Sequence, residues 1–113
     1  MHELSLAQSV IEIIENAAAR DAFARVRKVW LEVGLLSCVE PDAMRASFEA
    51  VSRDTRAEGA VLELVAVPGR GRCPSCGTLS ALAAREDACP SCGGYGLRPV
   101  AGTGLRVREL EVE

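Results

Sequence analysis

Two short cysteine pairs are the residues of this sequence with the clearest chemistry. Cys73 and Cys76 form one pair and Cys89 and Cys92 the other, each within the same pentapeptide, Cys-Pro-Ser-Cys-Gly. Two residues between cysteines let both sulfurs of a tight turn point at one centre, and a second turn completes a tetrahedron of thiolates. The pattern predicts a closed, structural Zn²⁺ site. The competing interpretation, two redox pairs, needs a strand-to-helix junction that neither pentapeptide resembles.

The amino terminus carries the sequence's only histidine, His2. By itself a terminal histidine is either a solvated polar residue or part of a metal site. The free amine of Met1, the backbone nitrogen of His2 and its imidazole can close fused chelate rings in one plane, and the amide nitrogen of Glu3 can supply a fourth nitrogen. Planar nitrogen ligation suits Ni(II) or Cu(II), so the spacing alone leaves both interpretations of His2 open.

Composition and charge argue against several classes of partner. The chain has 113 residues, of which 49% are hydrophobic and 4% aromatic, and its formal net charge is -3. A negative chain offers no global attraction to phosphate or anionic lipid, and few aromatic rings are present for stacking on bases. No apolar run reaches the length of a membrane span. We therefore expect a folded cytoplasmic protein with no nucleic-acid or membrane partner.

The elements that position these residues alternate between helix and strand. Apolar spacing of three or four residues predicts a helix over 4–20, in which Ser5 and Gln8 fit a capping box. Alternation predicts a strand over 25–33, and a second helix opens at Pro41, a residue tolerated in the first helical turn. Further strands are expected over 61–67 and 105–112. The order predicts an α+β fold, with two helices packed on a small three-stranded sheet.

The last predicted strand breaks its own alternation. Leu105 and Val107 share one parity, whereas Leu110 and Val112 share the other. A strand exposes alternate residues on opposite faces, so the change predicts a bulge or a switch of the buried face near Arg108.

The cysteine pairs lie in a segment that cannot build an ordinary core. Residues 69–104 are rich in Gly, Pro and Cys and poor in long aliphatic side chains, so a metal must replace the core. We expect two domains: an α/β domain formed by residues 1–69 and 104–113, which carries the amino terminus, and an inserted zinc-ribbon domain formed by residues 70–103. The remaining cysteine, Cys38, is expected to be a small buried apolar residue.

Motifs spread along the whole chain point to one family. They are MHELS at 1–5, VEPDA at 39–43, FE at 48–49, AEGA at 57–60, LRV at 105–107 and LEVE at 110–113, with the paired cysteine turns between the last two strands. In this order they resemble the HypA/HybF family of nickel metallochaperones for hydrogenase maturation. Cys38 departs from the family pattern, in which a small residue is more common.

The resemblance implies a function and assigns roles to the residues. Nickel is held by His2 and by the backbone nitrogens of Met1 and its neighbours, and Glu3 assists partner recognition. Zinc is held by Cys73, Cys76, Cys89 and Cys92. The implied protein is not an enzyme but a monomeric or homodimeric carrier that docks to a HypB-like GTPase. Its nickel goes to the large subunit of a [NiFe] hydrogenase and, in some members, to urease.

A second class of function competes with the carrier. A zinc-ribbon adaptor that binds protein or nucleic acid would use the ribbon and its arginines, and His2 would be incidental; the arginines are Arg70, Arg72, Arg85, Arg98, Arg106 and Arg108. Such an adaptor predicts salt-sensitive binding to nucleic acid. An enzyme is not expected, because the sequence has no second histidine and no nucleophile with a recognisable base.

Overall fold

The computed structural model describes residues 2–113, which form two helices, a 3₁₀ turn and six strands. In chain order these are α1 (His2–Asp21), β1 (Val26–Gly34), the 3₁₀ turn (Leu35–Ser37), α2 (Pro41–Ser52), β2 (Val61–Val67), β3 (Arg70–Arg72), β4 (Leu79–Ala81), β5 (Arg98–Ala101) and β6 (Leu105–Val112). The strands form two three-stranded sheets, ordered β2-β1-β6 and β4-β3-β5. None of the described helices is long and apolar enough to cross a membrane.

The chain divides into two compact units. The first comprises the chain as far as Leu31 together with Val39–Val65 and Arg106–Glu113, and the second comprises Glu32–Cys38 and Ala66–Leu105. The predicted α+β class, with two helices, a three-stranded sheet and a ribbon that carries the cysteines, is confirmed. The predicted domain boundaries, at 69/70 and 103/104, stay a prediction.

The core of the first unit forms where α1 and α2 pack against each other, together with buried residues of β1. The buried residues are Ala7, Val10, Ile11, Ile14, Ala17 and Ala18 of α1, Met44 and Phe48 of α2, and Val26, Val29 and Leu31 of β1. On α1 they recur every three or four residues, as a helix with one apolar face requires. Ile13, which the apolar spacing also selects, is 50% exposed, and its neighbour Ile11 is buried instead.

The two helices begin differently. α2 begins at Pro41, as predicted, and the Glu40 carboxylate before it caps the helix by accepting a hydrogen bond from the amide of Ala43 at 2.6 Å. α1 already begins at His2, so Ser5 lies inside the helix and the predicted capping box is wrong. The boundary differs because the helix continues into the polar residues His2 and Glu3, which apolar periodicity cannot register.

The edge strand β6 shows the predicted switch of face. Leu105 and Val107 are half-buried, Arg108 and Glu109 are both exposed, and Leu110 is half-buried again. The half-buried positions therefore change from odd-numbered to even-numbered residues along the strand, as predicted.

The second unit has a small core of three leucines and two cysteines: Leu36, Leu82, Leu97, Cys73 and Cys89. Close backbone approach supports it, because the amide of Leu36 donates to the carbonyl of Gly102 at 2.8 Å. The expectation that Cys38 is buried is wrong. Cys38 is exposed and adopts left-handed backbone angles (φ 59°), because it ends the 3₁₀ turn at the surface.

We predict that Gly34→Ala destabilises the second unit. Gly34 has ordinary extended backbone angles, but an added Cβ would overlap the backbone carbon and oxygen of Gly102. We expect the free energy of unfolding, measured by denaturant titration with circular dichroism, to fall by about 2–4 kcal/mol. The matched control is Gly104→Ala, because a Cβ at that position meets nothing within 4 Å. Equal stabilities of the two variants would contradict the prediction.

Candidate metal sites

The two cysteine turns have the same backbone geometry. The first follows β3, and in it the amide of Gly77 donates to the carbonyl of Cys73 at 2.9 Å. In the second, the amide of Gly93 donates to the carbonyl of Cys89 at 2.8 Å. Gly77 and Gly93 both have φ of 75°, a left-handed conformation that glycine adopts without steric cost. The repeated pentapeptide thus folds into two equivalent turns.

The four sulfur atoms come together as a metal site requires. All of them lie within 4.8 Å of one another. The Sγ atoms of Cys73 and Cys92 are 3.6 Å apart, and those of Cys76 and Cys89 are 3.7 Å apart. A Zn–S bond of about 2.3 Å in a tetrahedron places sulfurs about 3.8 Å from each other. The arrangement therefore fits a four-thiolate metal ion.

The pKa values of the clustered cysteines also favour a bound cation. A hydrogen bond with the hydroxyl of Thr78 and another from its amide lower the pKa of Cys76 to about 6. The amide of Gly94 lowers the pKa of Cys92, but the thiols of Cys73 and Cys76 beside it and burial outweigh that effect and raise it to about 11. Without a cation, the Cys92 thiol keeps its proton at neutral pH because it lies among other sulfurs. A dication at the centre would remove the cost of placing a further negative charge beside those sulfurs.

The cluster is partly covered by protein. Cys73 and Cys89 are buried in the small core of the second unit, whereas Cys76 and Cys92 are exposed. Leu82 and Leu97, which belong to the same core, are at most 5% exposed. The buried pair ties the sulfur cluster to the core of the second unit, and a metal held by all four sulfurs would have no open position for a substrate.

At the other end of the chain, His2 is the first residue of α1. Its side chain is 55% exposed, and its Nδ1 lies 3.8 Å from Oε2 of Glu3. Met1, the predicted donor of the amine, lies outside the described residues. Within 2–113, three or more metal-ligating side chains come together at the four cysteines and not at His2.

The Glu3 carboxylate is engaged with the start of α2. Its Oε2 accepts a hydrogen bond from the amide of Glu40 at 3.1 Å, and its side chain is only 18% exposed. This bond from the Glu40 amide is the largest cause that lowers the pKa of Glu3, and the nearby His2 lowers it further. Glu3 is therefore ionised at neutral pH and holds the first turn of α1 against the first turn of α2.

Two residues of these sites were not singled out from the sequence. Glu40 had no role beyond its place in a family motif, although a carboxylate directly before a proline is a recognisable helix cap. Thr78, whose hydroxyl lies 3.2 Å from Sγ of Cys76, follows the glycine of the first turn. The second turn has Gly94 at the equivalent position, so the repeated pentapeptide does not predict a hydroxyl group beside the sulfurs.

Comparison with known proteins gives one consistent result. Residues 1–112 match the family model described as "HypA: Hydrogenase/urease nickel incorporation, metallochaperone". The chain is 51% identical to "Hydrogenase maturation factor HypA" of Albidiferax ferrireducens and 54% identical to that of Rhodopseudomonas palustris (strain BisA53), in both cases over 100% of each chain.

Solved structures show the same fold at lower sequence identity. The solution structure of the Ni metallochaperone HypA from Helicobacter pylori superimposes with a TM-score of 0.78 over 97% of this chain and 96% of that chain, at 20% identity. A second solution structure, of a HypA protein, gives 0.73 at 22% identity over 100% and 97%.

We predict that Cys92→Ser weakens metal binding at the cysteine cluster by about a hundredfold or more. Structural zinc sites bind with about 10–16 kcal/mol, so the loss of one of four thiolates removes a large share of that free energy. The measurement is competition for zinc with a chromogenic chelator. Cys38→Ser is the control, because Cys38 is also exposed but lies outside the cluster. If both variants hold zinc as the unchanged chain does, the cluster is not the site.

Proposed function

The chain belongs to the HypA family of nickel-incorporation metallochaperones, and from that membership we propose that it binds Ni(II) at its amino terminus and delivers it for maturation of a [NiFe] hydrogenase. The observation that carries the proposal is that the only histidine of a HypA-family chain is exposed at the start of α1, next to the terminal amine. Nickel is the cargo here, so its site must both bind and release the metal.

The proposed donors are all nitrogens. They are the amine of Met1, the backbone nitrogen and imidazole of His2, and the amide nitrogen of Glu3. The first four N–H groups of a helix have no intrahelical acceptor, so metal ligation at these backbone nitrogens breaks no hydrogen bond of α1. Planar coordination by nitrogen is a preferred geometry of Ni(II). The start of α1 at His2 is therefore compatible with ligation at these nitrogens.

Glu3 has a second proposed role as the anchor of this site. Its carboxylate is held by the Glu40 amide and so restrains the residue next to His2, while the imidazole stays exposed. We propose that the partner recognition expected of Glu3 acts through this contact. Loss of the carboxylate would free the terminus and change the surface that a partner meets.

Release follows from the small number of fixed ligands. One side chain and backbone nitrogens can be replaced stepwise by the ligands of an acceptor, whereas a closed cage of side chains would have to open first. Nitrogen sites bind Cu(II) more tightly than Ni(II), so the choice of nickel must come from metal supply and from the partner. Binding should also weaken as the pH falls, because protons compete with the metal for the same nitrogens.

The proposed resident metal of the second unit is Zn²⁺, held by Cys73, Cys76, Cys89 and Cys92. The sulfur separations of 3.6 and 3.7 Å support this assignment, since they match a tetrahedral zinc site. Zinc would neutralise part of the thiolate charge and hold the two turns together. With its coordination complete, it would supply structure rather than catalysis, and the chain would act as a carrier and not as an enzyme.

The proposed partners follow from the family. They are a HypB-like GTPase and the large subunit of a [NiFe] hydrogenase, with urease as a further acceptor, all in the cytoplasm. The description of the family model includes both hydrogenase and urease, which supports either acceptor.

We predict that His2→Ala abolishes stoichiometric nickel binding and leaves zinc in place. Loss of the imidazole opens the six-membered chelate ring, so we expect the affinity for Ni(II) to fall at least about a hundredfold. The measurement is calorimetric titration of the untagged, zinc-loaded chain, together with the absorption band of planar nickel. A chain with one residue added before Met1 is the second variant, since it keeps His2 but converts the amine to an amide.

The controls separate the two metal sites. Cys38→Ser keeps every proposed ligand of both metals and should bind nickel as the unchanged chain does. Equal nickel binding by the unchanged chain and His2→Ala, with the same spectrum, would remove the central residue of the proposal. Unimpaired nickel binding by the extended chain would exclude the amine of Met1 as a nickel ligand.

A further inference from the structure

The sheet of the second unit, β4-β3-β5, turns one face toward the core of that unit. Gly71 lies in the middle of β3, and a Cβ added to it would lie 3.0 Å from a methyl carbon of Leu82 and 3.3 Å from the Cβ of Leu97. Both leucines are buried. Because successive residues of a strand point to opposite faces, the neighbours of Gly71 in β3, Arg70 and Arg72, lie on the outer face. Both arginines are exposed.

A third arginine lies on the same outer face. Strands β3 and β5 are antiparallel, and their register places Arg98 directly opposite Arg72. Residues directly opposite each other share a face of the sheet, with Cα atoms about 4.5–5.5 Å apart. On the other side of β3, Leu79 of β4 lies opposite Arg72. One row across the sheet therefore contains Leu79, Arg72 and Arg98. We refer to Arg70, Arg72 and Arg98 together as the arginine face.

The charges of the arginine face are not neutralised by carboxylates of the chain. Within residues 2–113, no carboxylate forms an ion pair with any of the three arginines. The guanidinium of Arg72 donates instead to the carbonyl of Gly77 at 3.0 Å, which restrains it beside the first cysteine turn. Like charges directly opposite each other destabilise a sheet, so the pair of Arg72 and Arg98 carries a cost that a bound anion would relieve.

The other arginines considered from the sequence lie elsewhere. The guanidinium of Arg85 donates to the carbonyl of Leu36 at 3.5 Å, and Arg106 and Arg108 belong to β6 in the other sheet. Half of the six candidate arginines therefore share one surface of the second unit, which the spacing of the sequence does not indicate.

The surroundings of the arginine face favour a protein partner over a nucleic acid. Leu79, which is 39% exposed, lies beside Arg72 in the same row. Arginine next to an exposed apolar side chain is typical of protein interfaces. A nucleic acid is ordinarily held by more phosphate contacts than three arginines supply, and single strands also need aromatic rings for stacking. The strands β3, β4 and β5 contain no aromatic residue, and the chain carries a formal net charge of -3.

The spacing of the arginines indicates the form of the partner. Residues two apart in a strand are separated by about 7 Å, which applies to Arg70 and Arg72. An extended segment with an acidic residue at every second position presents its carboxylates at the same spacing. A guanidinium group binds a carboxylate through two parallel hydrogen bonds. Such a segment can therefore engage both arginines of β3, and Arg98 adds a second guanidinium beside the carboxylate that Arg72 binds.

We propose that the arginine face is a docking site for an acidic segment of a partner protein, extended and with carboxylates at alternate positions. Charge complementarity selects this partner, because the face presents three positive charges that the chain itself does not neutralise. The proposal uses no ligand of either metal, and it does not rest on nickel binding at the amino terminus. Binding should weaken as the salt concentration rises, because the charges on both sides are exposed.

A labelled peptide tests the proposal on the full, zinc-loaded chain. The probe is an octapeptide of alternating glutamate and serine, and its reference has glutamine in place of each glutamate. We expect fluorescence anisotropy to show binding of the glutamate peptide alone, with an affinity that falls about tenfold or more in R70Q/R72Q/R98Q. Arg72→Gln also removes the hydrogen bond to Gly77. The double variant R70Q/R98Q keeps that bond, and its affinity should still fall about threefold or more.

A variant of equal charge provides the matched control. R20Q/R53Q/R108Q removes three exposed arginines of the first unit and should bind the peptide as the unchanged chain does. In nuclear magnetic resonance spectra of the unchanged chain, the peptide should shift the amide signals of β3, β4 and β5. Absence of binding at submillimolar peptide, or an equal loss of affinity in the control, would overturn the proposal. Tighter binding of a single-stranded oligonucleotide with the same number of charges would also overturn it.

Discussion

The convergence of four cysteine sulfurs on one point is the constraint on which the second unit depends. Its buried apolar cluster consists of Leu36, Leu82 and Leu97 besides Cys73 and Cys89, too little to offset the ordering of nearly fifty residues. The sulfurs nevertheless lie within 4.8 Å of one another, which thiolates tolerate when a cation lies between them. A metal held by these sulfurs would couple its binding to the folding of this unit. The glycines at positive φ allow the turns that aim the sulfurs.

The first unit fixes the start of its first helix, although a chain end ordinarily frays. The Glu3 carboxylate accepts a hydrogen bond from the Glu40 amide, and the Glu40 carboxylate in turn accepts one from Ala43. The start of α1 is thereby attached to the cap of α2, whose apolar face is fixed by Met44 and Phe48 in the core. The imidazole of His2 stays exposed next to this anchor. On the proposed function, the closed cysteine cluster would hold a metal that stays, and the open terminus would hold a metal that is handed on.

Most of the fold followed from local pattern. The strands over 61–67 and 105–112, the helix opening at Pro41 and the switch of face near Arg108 all agree with the structure, because each depends on alternation, helical periodicity or proline stereochemistry within a few residues. The exceptions depend on what lies nearby in space. Ile13 fits the apolar stripe of α1 but is half exposed, and Cys38 is at the surface because it ends a turn. Neither outcome is encoded in the spacing of a residue from its sequence neighbours.

The sequence by itself determined the element order, the family and the four cysteines that come together, since an exact repeat of Cys-Pro-Ser-Cys-Gly specifies two equal turns wherever they lie. Only the tertiary structure decided which contacts position these groups. It paired Cys73 with Cys92 and Cys76 with Cys89, placed Thr78 beside one sulfur, and attached Glu3 to the backbone of a residue 37 positions away. The physical reason is that a hydrogen bond or a sulfur separation depends on distance in space. Long-range packing sets that distance, and the periodicity of the sequence carries no information about it.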